Sequence, residues 1–234
     1  MRSPDTTRRG IIGQLAEAIS AVPRSHPIRV AIDGRSGAGK STLGDELAAL
    51  LRHRRPVIQA SIDDFYGLWV HRHSRRFLSA EAFYAAAYDY AALHALLLGP
   101  LGPGGSRRYR ARWHDGWHEG VSDEPERVAP DDAVLLMEGV FLLRPELNGN
   151  WDVRVFVDID AEQSLERGVE RDLTLAAAAP RAALRAQREQ VYRERYLPAD
   201  DRYLRAVAPI ALADIVVDNR ALQSPRLIVR RRPT

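Results

Sequence analysis

Short apolar runs alternate along this chain with longer segments of helical character. The apolar segments cover residues 28–32, 56–62, 133–137, 154–158 and 213–217, and the run 133–137 is continuously apolar. Such runs are typical of strands buried on both faces of a parallel sheet. The segments that predict helices cover residues 10–22, 41–54, 80–98, 161–173 and 180–196. This order predicts an α/β fold, a mostly parallel sheet of about five strands with helices on both faces.

A glycine-rich segment follows the first predicted strand directly. It reads Gly34-Arg35-Ser36-Gly37-Ala38-Gly39-Lys40-Ser41, the spacing of a Walker A motif, and Lys40 is the only lysine in the chain. Glycines let successive N–H groups turn toward phosphate oxygens, and the next helix adds its positive N-terminal end. We expect Lys40 to reach the β- and γ-phosphates and Ser41 to bind Mg²⁺. The predicted nucleotide-binding residues are Gly34, Ser36, Gly37, Ala38, Gly39, Lys40, Ser41 and Thr42.

Carboxylates follow two other predicted strands. Asp63 comes directly after the run 56–62, and Glu138 directly after the run 133–137. Both are therefore expected at the carboxyl edge of the sheet, where parallel sheets bind ligands. A carboxylate near the γ-phosphate can accept the proton of an attacking hydroxyl, and another can hold Mg²⁺. We expect Asp63 to be the base, with the neighbouring Asp64 as an alternative, and Glu138 to bind the metal.

Arginines on a predicted helix are candidates for stabilising the transferred phosphoryl group. Arg167 and Arg171 are four residues apart, so they share one face of the helix. Guanidinium groups stabilise negative charge on phosphoryl oxygens well. We expect both to be catalytic residues on a helical lid, at about residues 167–196, that closes over ATP and excludes water.

Composition limits the class of protein. The 234 residues fit one domain over 1–234, with a substrate-side insertion at about 66–125. The 34 basic and 31 acidic residues are interspersed, which favours a mixed surface and no nucleic-acid partner. The absence of cysteine excludes disulfides and thiolate metal sites. No apolar signal core or membrane-length run is present, so we expect a cytoplasmic enzyme and leave a homo-oligomer open.

Over roughly residues 28–218, the chain resembles the uridine kinase and phosphoribulokinase-like family of P-loop kinases. The resemblance is carried by IDGRSGAGKSTL, SIDDFY, MEGVFLL, WDVRVFVD and an R-x-x-x-R-D helix. It implies ATP and Mg²⁺ as cofactors, Asp63 as the base, Glu138 at the magnesium site, and a lid that carries Arg167 and Arg171. The substrate-binding residues that it implies are Tyr66, Asp89, Tyr109 and His114.

Departures from the family pattern concern the acceptor side. The family's P-D-x-F-D run, which helps to grip the sugar, reads Ala85-Ala86-Ala87-Tyr88-Asp89, and Ala111 replaces an aromatic residue. We therefore expect a kinase of a small-molecule hydroxyl, with a nucleoside such as uridine or cytidine favoured. A sugar phosphate, a pantothenate-like alcohol and a nucleotide binder without turnover are the alternatives. A regulatory GTPase is disfavoured because the chain has no N-K-x-D-type guanine motif.

Overall fold

A six-stranded sheet forms the centre of the molecule. The computed structural model describes residues 7–67, 79–113, 122–176 and 181–229. Its strands are β1 (Ile28–Gly34), β2 (Val57–Ser61), β3 (Arg108–Tyr109), β4 (Arg127–Val128), β5 (Val134–Gly139), β6 (Val153–Asp158), β7 (Ile215–Asp218) and β8 (Arg226–Val229). The sheet has the order β2-β5-β1-β6-β7-β8, whereas β3 and β4 form a separate antiparallel ribbon. In this sheet β2, β5, β1, β6 and β7 are parallel, and β8 is antiparallel to β7.

Helices surround the sheet, and several are capped by their preceding residue. They are α1 (Arg8–Ser20), α2 (Lys40–Leu51), α3 (Ala80–Ala86), α4 (Tyr90–Leu93), α5 (Pro145–Asn148), α6 (Ala161–Leu175), α7 (Arg181–Val191), α8 (Leu197–Val207) and α9 (Pro209–Leu212). Thr7, Ser79, Asp89 and Asp160 accept a backbone N–H at the starts of α1, α3, α4 and α6; such a cap contributes about 1 kcal/mol. Among the described residues, none of these helices is long and apolar enough to cross a membrane.

Both faces of the sheet are covered by apolar side chains. Along β1, Val30 and Ile32 pack against α1 and α2, while Ala31 belongs to the core on the opposite face. In β5, Leu136 belongs to the core on the side of α1 and α2, and Leu135 belongs to the core on the opposite face. Each fully buried aliphatic side chain contributes roughly 1.5–3 kcal/mol. Burial on both faces explains why apolar residues predominate in these strands, and it confirms the predicted α/β fold with its parallel sheet.

Three elements differ from the sequence-based expectations. The predicted helix over 80–98 is interrupted, because Tyr88 pairs with Tyr66 as an antiparallel bridge and Asp89 then caps a new helix. The edge strand β8 was not predicted; it has only four residues, of which Arg226 and Ile228 are exposed. Helix α8 was also missed; its buried residues Ala199, Asp200 and Tyr203 include a carboxylate, which weakens the apolar pattern.

Helices α6 and α7 belong to the predicted lid, and a buried tyrosine packs where they meet. Helix α7 continues through a π-helical turn (Tyr192–Tyr196) into α8. Tyr192 is fully buried and packs with Val169 and Leu173 of α6. A Cβ at Gly168 would overlap the Tyr192 ring. Glycine at this position therefore lets the tyrosine cross α6 in direct contact with its backbone.

Replacing Gly168 with alanine is expected to lower the free energy of unfolding by about 1–3 kcal/mol, the usual cost of overpacking. Chemical denaturation measures the change. The matched control is Gly13→Ala in α1, where nothing lies within 4 Å of the added Cβ. There, alanine is expected to stabilise the helix by about 0.5–1 kcal/mol. Equal effects of the two substitutions would contradict the packing described for Tyr192.

Candidate active site

The glycine-rich loop connects β1 to α2 and packs closely against two other segments. Gly37 and Gly39 have φ angles of 75° and 87°, a region that favours glycine. A Cβ on Gly37 would lie 2.8 Å from the Ser164 carbonyl oxygen of α6, and one on Gly39 would lie 3.0 Å from Asn219 Nδ2. The loop needs these glycines for its backbone conformation and for its close packing.

Lys40 begins α2 and points back over the loop. Its Nζ donates hydrogen bonds to the carbonyl oxygens of Gly34 (3.0 Å) and Arg35 (2.8 Å). The residue is only 8% exposed, yet it lines a cavity of about 500 Å³. The ammonium therefore lies at the inner end of the cavity, beside backbone N–H groups that suit an anion.

Helix α8 holds the same loop from the other side. Asp200 Oδ2 accepts the Ser36 backbone N–H at 3.2 Å, and Asp201 Oδ1 accepts from Arg35 Nη2 at 2.8 Å. Burial raises the pKa of Asp200 to about 7, although the positive charge of Lys40 opposes the shift. Sequence analysis did not identify Asp200, because its part in the loop depends on contact between segments 164 positions apart.

Asp33, the residue before the loop, is fully buried at the end of β1. Its carboxylate accepts the N–H groups of Gly34 (2.7 Å) and Leu143 (3.3 Å) and the hydroxyl of Tyr203. Burial raises its pKa to about 6 in spite of these donors. Asp33 thereby connects the loop, the segment after β5 and helix α8, a role that its place in the motif did not reveal.

Of the two adjacent aspartates, Asp63 faces the cavity. It lines the cavity together with Glu138, and its Oδ1 accepts a hydrogen bond from the Tyr88 hydroxyl at 3.1 Å. Asp64 is absent from the cavity lining, and its Oδ2 lies 3.6 Å from Arg112 Nε. Burial raises the pKa of Asp64 to about 6, opposed by Arg112. The geometry therefore favours Asp63 over Asp64 as the group that meets a substrate.

Both predicted lid arginines line the cavity. Arg171 donates to Asp172 (3.0 Å) and to the Tyr192 hydroxyl (3.3 Å). Arg167 donates to the backbone carbonyls of Asn219 (2.9 Å) and Arg220 (2.8 Å), and so connects α6 to the segment after β7. The arginines of α7 are engaged differently: Arg181 and Arg185 both pair with Glu170 of α6.

The structure describes three of the four predicted substrate-binding residues, and they do not all line the cavity. Tyr66 lines the cavity, but Asp89 and Tyr109 do not. Asp89 Oδ1 accepts the Ala92 N–H at 2.8 Å as the cap of α4, and Tyr109 is buried in the short strand β3. His114 lies outside the described residues. Direct substrate contact by these residues stays a prediction.

The oxygen donors in the cavity suit Mg²⁺ better than a metal whose ligands all come from the protein. Ser41 and Glu138 both line the cavity, whereas no group of three or more His, Cys, Asp or Glu side chains forms a metal cluster in the described ranges. Mg²⁺ is usually bound by one or two carboxylates plus water and substrate phosphates. The donor set fits a magnesium ion that binds together with a nucleotide.

Comparisons with known proteins show which family this chain belongs to. The Phosphoribulokinase / Uridine kinase family model matches residues 29–177. The chain is 26% identical over 152 residues to a uridine kinase of Alkaliphilus metalliredigens, covering 64% of this chain and 70% of that protein. It is 25% identical over 148 residues to a uridine kinase of Lactobacillus helveticus, covering 63% and 68%.

Solved structures show the same fold. A candidate uridine kinase from Bacillus stearothermophilus superposes with a TM-score of 0.66 at 23% identity, covering 89% of this chain and 97% of that one. A candidate fructose transport system kinase from Silicibacter sp. TM1040 gives a TM-score of 0.64 at 22% identity, with 84% and 95% covered. At these identities the likeness concerns the fold alone.

The raised pKa of Asp200 predicts a pH-dependent stability. Its carboxyl is more easily protonated in the folded state, so its contribution to stability is full at low pH and is lost as pH rises through about 7. Asp200→Asn keeps an oxygen acceptor for the Ser36 N–H and removes the buried charge. Between pH 5 and 8, the variant should gain at least about 1 kcal/mol relative to the wild type.

Unfolding curves of the ligand-free proteins at several pH values measure this difference. The control is Asp131→Asn, whose side chain is 79% exposed and should leave the pH dependence unchanged. A constant difference between Asp200→Asn and the wild type across this range would show that Asp200 is not buried beside the loop as described.

Proposed function

Because this chain belongs to the Phosphoribulokinase / Uridine kinase family, we propose that it is an ATP-dependent phosphotransferase that phosphorylates a hydroxyl of a small molecule. Family membership supports a P-loop kinase. The observation that carries the proposal is that Lys40, Asp63 and Glu138, which come from three separate strand ends, line a single cavity of about 500 Å³. A nucleotide-phosphate site and a candidate base therefore face the same space.

The loop end of the cavity supplies positive charge for the phosphates. The loop N–H groups and Lys40 would bind the β- and γ-phosphates, with Lys40 exchanging its carbonyl contacts for phosphate oxygens. Arg171 would stabilise the charge on the transferred group, and Arg167 holds the segment 219–220 beside the cavity. Ser41 and Glu138 would hold Mg²⁺, which supplies further charge neutralisation when bound.

Asp63 would carry out the proton transfer. Asp63 accepts the proton of the acceptor hydroxyl while the hydroxyl oxygen forms a bond to the γ-phosphorus. The bond between the γ-phosphorus and the β–γ bridging oxygen breaks, and ADP leaves with that electron pair. The products are ADP, the phosphorylated acceptor and a proton held first by Asp63.

Aromatic side chains dominate the wall near Asp63. They are Tyr66, Phe83, Tyr88, Tyr192 and Tyr196. Such rings offer flat faces against which a planar base or the apolar face of a sugar can pack. This supports a nucleoside as the favoured acceptor. The alanines at 85–87 replace residues that grip the sugar in the family pattern, so a sugar phosphate or a pantothenate-like alcohol is the second choice.

Substitutions of Asp63 and Lys40 should separate ATP binding from phosphoryl transfer. Asp63→Asn is expected to leave ATP affinity within about twofold and to lower turnover by about 10²-fold or more, the scale of a lost general base. Lys40→Ala should weaken ATP binding at least tenfold, because a charge-assisted contact contributes about 1.5–3 kcal/mol. Calorimetric ATP titrations and steady-state kinetics measure both effects.

Asp64→Asn is the matched control for Asp63→Asn. It is expected to retain most turnover, because Asp64 pairs with Arg112 away from the cavity. Loss of activity in Asp64→Asn with normal Asp63→Asn would move the base by one residue. Normal turnover in both variants would remove the assigned role of this aspartate pair.

A panel of acceptors is expected to show phosphorylation of a nucleoside, with weak activity on uridine and cytidine. Each hydrogen bond to the sugar that the alanines at 85–87 cannot make removes about 0.5–1.5 kcal/mol of binding. ADP release with each nucleoside, several sugar phosphates and pantothenate gives the comparison. Strong turnover of a sugar phosphate alone would move the acceptor to that class, and ATP binding without turnover on any acceptor would contradict the kinase assignment.

A further inference from the structure

A tyrosine hydroxyl contacts the candidate base directly. Tyr88 is 7% exposed, lines the cavity, and donates its hydroxyl to Asp63 Oδ1 at 3.1 Å. In the family pattern quoted above, this position is phenylalanine, which has no hydroxyl. The contact is therefore a feature of this chain that the resemblance does not supply.

The backbone fixes Tyr88 relative to the turn that carries Asp63. Tyr66 and Tyr88 form an antiparallel bridge, flanked by hydrogen bonds from Gly67 N to Ala87 O (2.9 Å) and from Asp89 N to Phe65 O (2.8 Å). The two tyrosine rings lie 4.8 Å apart between centroids. The Tyr88 hydroxyl therefore occupies a defined position beside Asp63.

Asp63 itself is weakly restrained by packing. It is an exposed residue on a short 3₁₀ turn (Ile62–Phe65), and its own N–H is bound by Ser61 Oγ at 3.2 Å. The terminal torsion of an aspartate is broad, so an exposed carboxylate needs a contact to select one orientation. The hydrogen bond from Tyr88 engages Oδ1 and leaves Oδ2 as the oxygen that can accept a proton.

We propose that Tyr88 is a positioning residue that holds the Asp63 carboxylate with Oδ2 directed at the acceptor hydroxyl. The proposal rests on the kinase function proposed above, in which the acceptor O–H bond breaks and its proton passes to Asp63. Tyr88 neither gains nor loses a proton in this step. Its effect is geometric, and small errors in the position of a reacting group reduce rates strongly.

Tyr88→Phe removes the hydroxyl and keeps the ring. The variant should lower kcat about tenfold, the effect of one hydrogen bond of roughly average strength, while the KM values for ATP and acceptor stay within twofold. The matched control is Tyr84→Phe, which also loses one hydroxyl but does not line the cavity, and it should retain the wild-type kcat. Unchanged kcat in Tyr88→Phe, or an equal fall in both variants, would overturn the proposal.

Crystal structures of the ligand-free wild type, Tyr88→Phe and Tyr84→Phe give a second readout that does not need turnover. The Asp63 carboxylate should rotate or occupy several conformers only in Tyr88→Phe. An unchanged Asp63 orientation in that variant would overturn the positioning role. If the wild type phosphorylates no acceptor, the proposed function fails, and the orientation of Asp63 still decides whether Tyr88 positions it.

Discussion

The arrangement of the candidate site depends on one buried carboxylate, Asp33, at the end of the central strand. A buried charge is costly unless hydrogen bonds compensate for it, and Asp33 accepts from Gly34, Leu143 and Tyr203. These donors belong to the nucleotide loop, the segment after β5 and helix α8. The segment after β5 also holds Phe141 at a φ of 65°, a strained conformation that its surroundings must maintain. Asp33 therefore fixes three parts of the site relative to one another.

The helices of the predicted lid are connected to the helix that contacts the nucleotide loop. Helix α7 runs through a π-helical turn into α8, which binds the loop through Asp200 and Asp201. Helix α6 contacts the same loop, because Ser164 Oγ donates to the Ser36 carbonyl at 2.5 Å. The helices that carry Arg171 and the arginines of α7 are therefore connected to the loop that precedes Lys40. Movement of α6, α7 and α8 would therefore change the positions of the predicted lid and the loop together.

Sequence reasoning reached the elements that local pattern determines. The parallel strands are recognisable because both of their faces are buried, and the nucleotide loop because its spacing is fixed by backbone conformation. Asp33, Asp200 and Tyr88 could not be assigned roles in this way, since their partners are 170, 164 and 25 positions away. Asp89 is a different case: its family position implies a substrate contact, which stays a prediction, and the structure adds that it caps the start of α4.

The nucleotide-binding loop and the proposed acceptor side of the cavity are built from different chemical groups. The nucleotide end depends largely on backbone N–H groups, glycine conformations and one lysine, so it tolerates change elsewhere as long as the loop keeps its shape. The acceptor end depends on individual side chains, and there the family's sugar-gripping run is replaced at 85–88. Because Tyr88 of this run contacts Asp63, the same replacement alters the surroundings of both the acceptor and the base. Under the proposed function, a change in this run would therefore affect both the choice of acceptor and the environment of proton transfer.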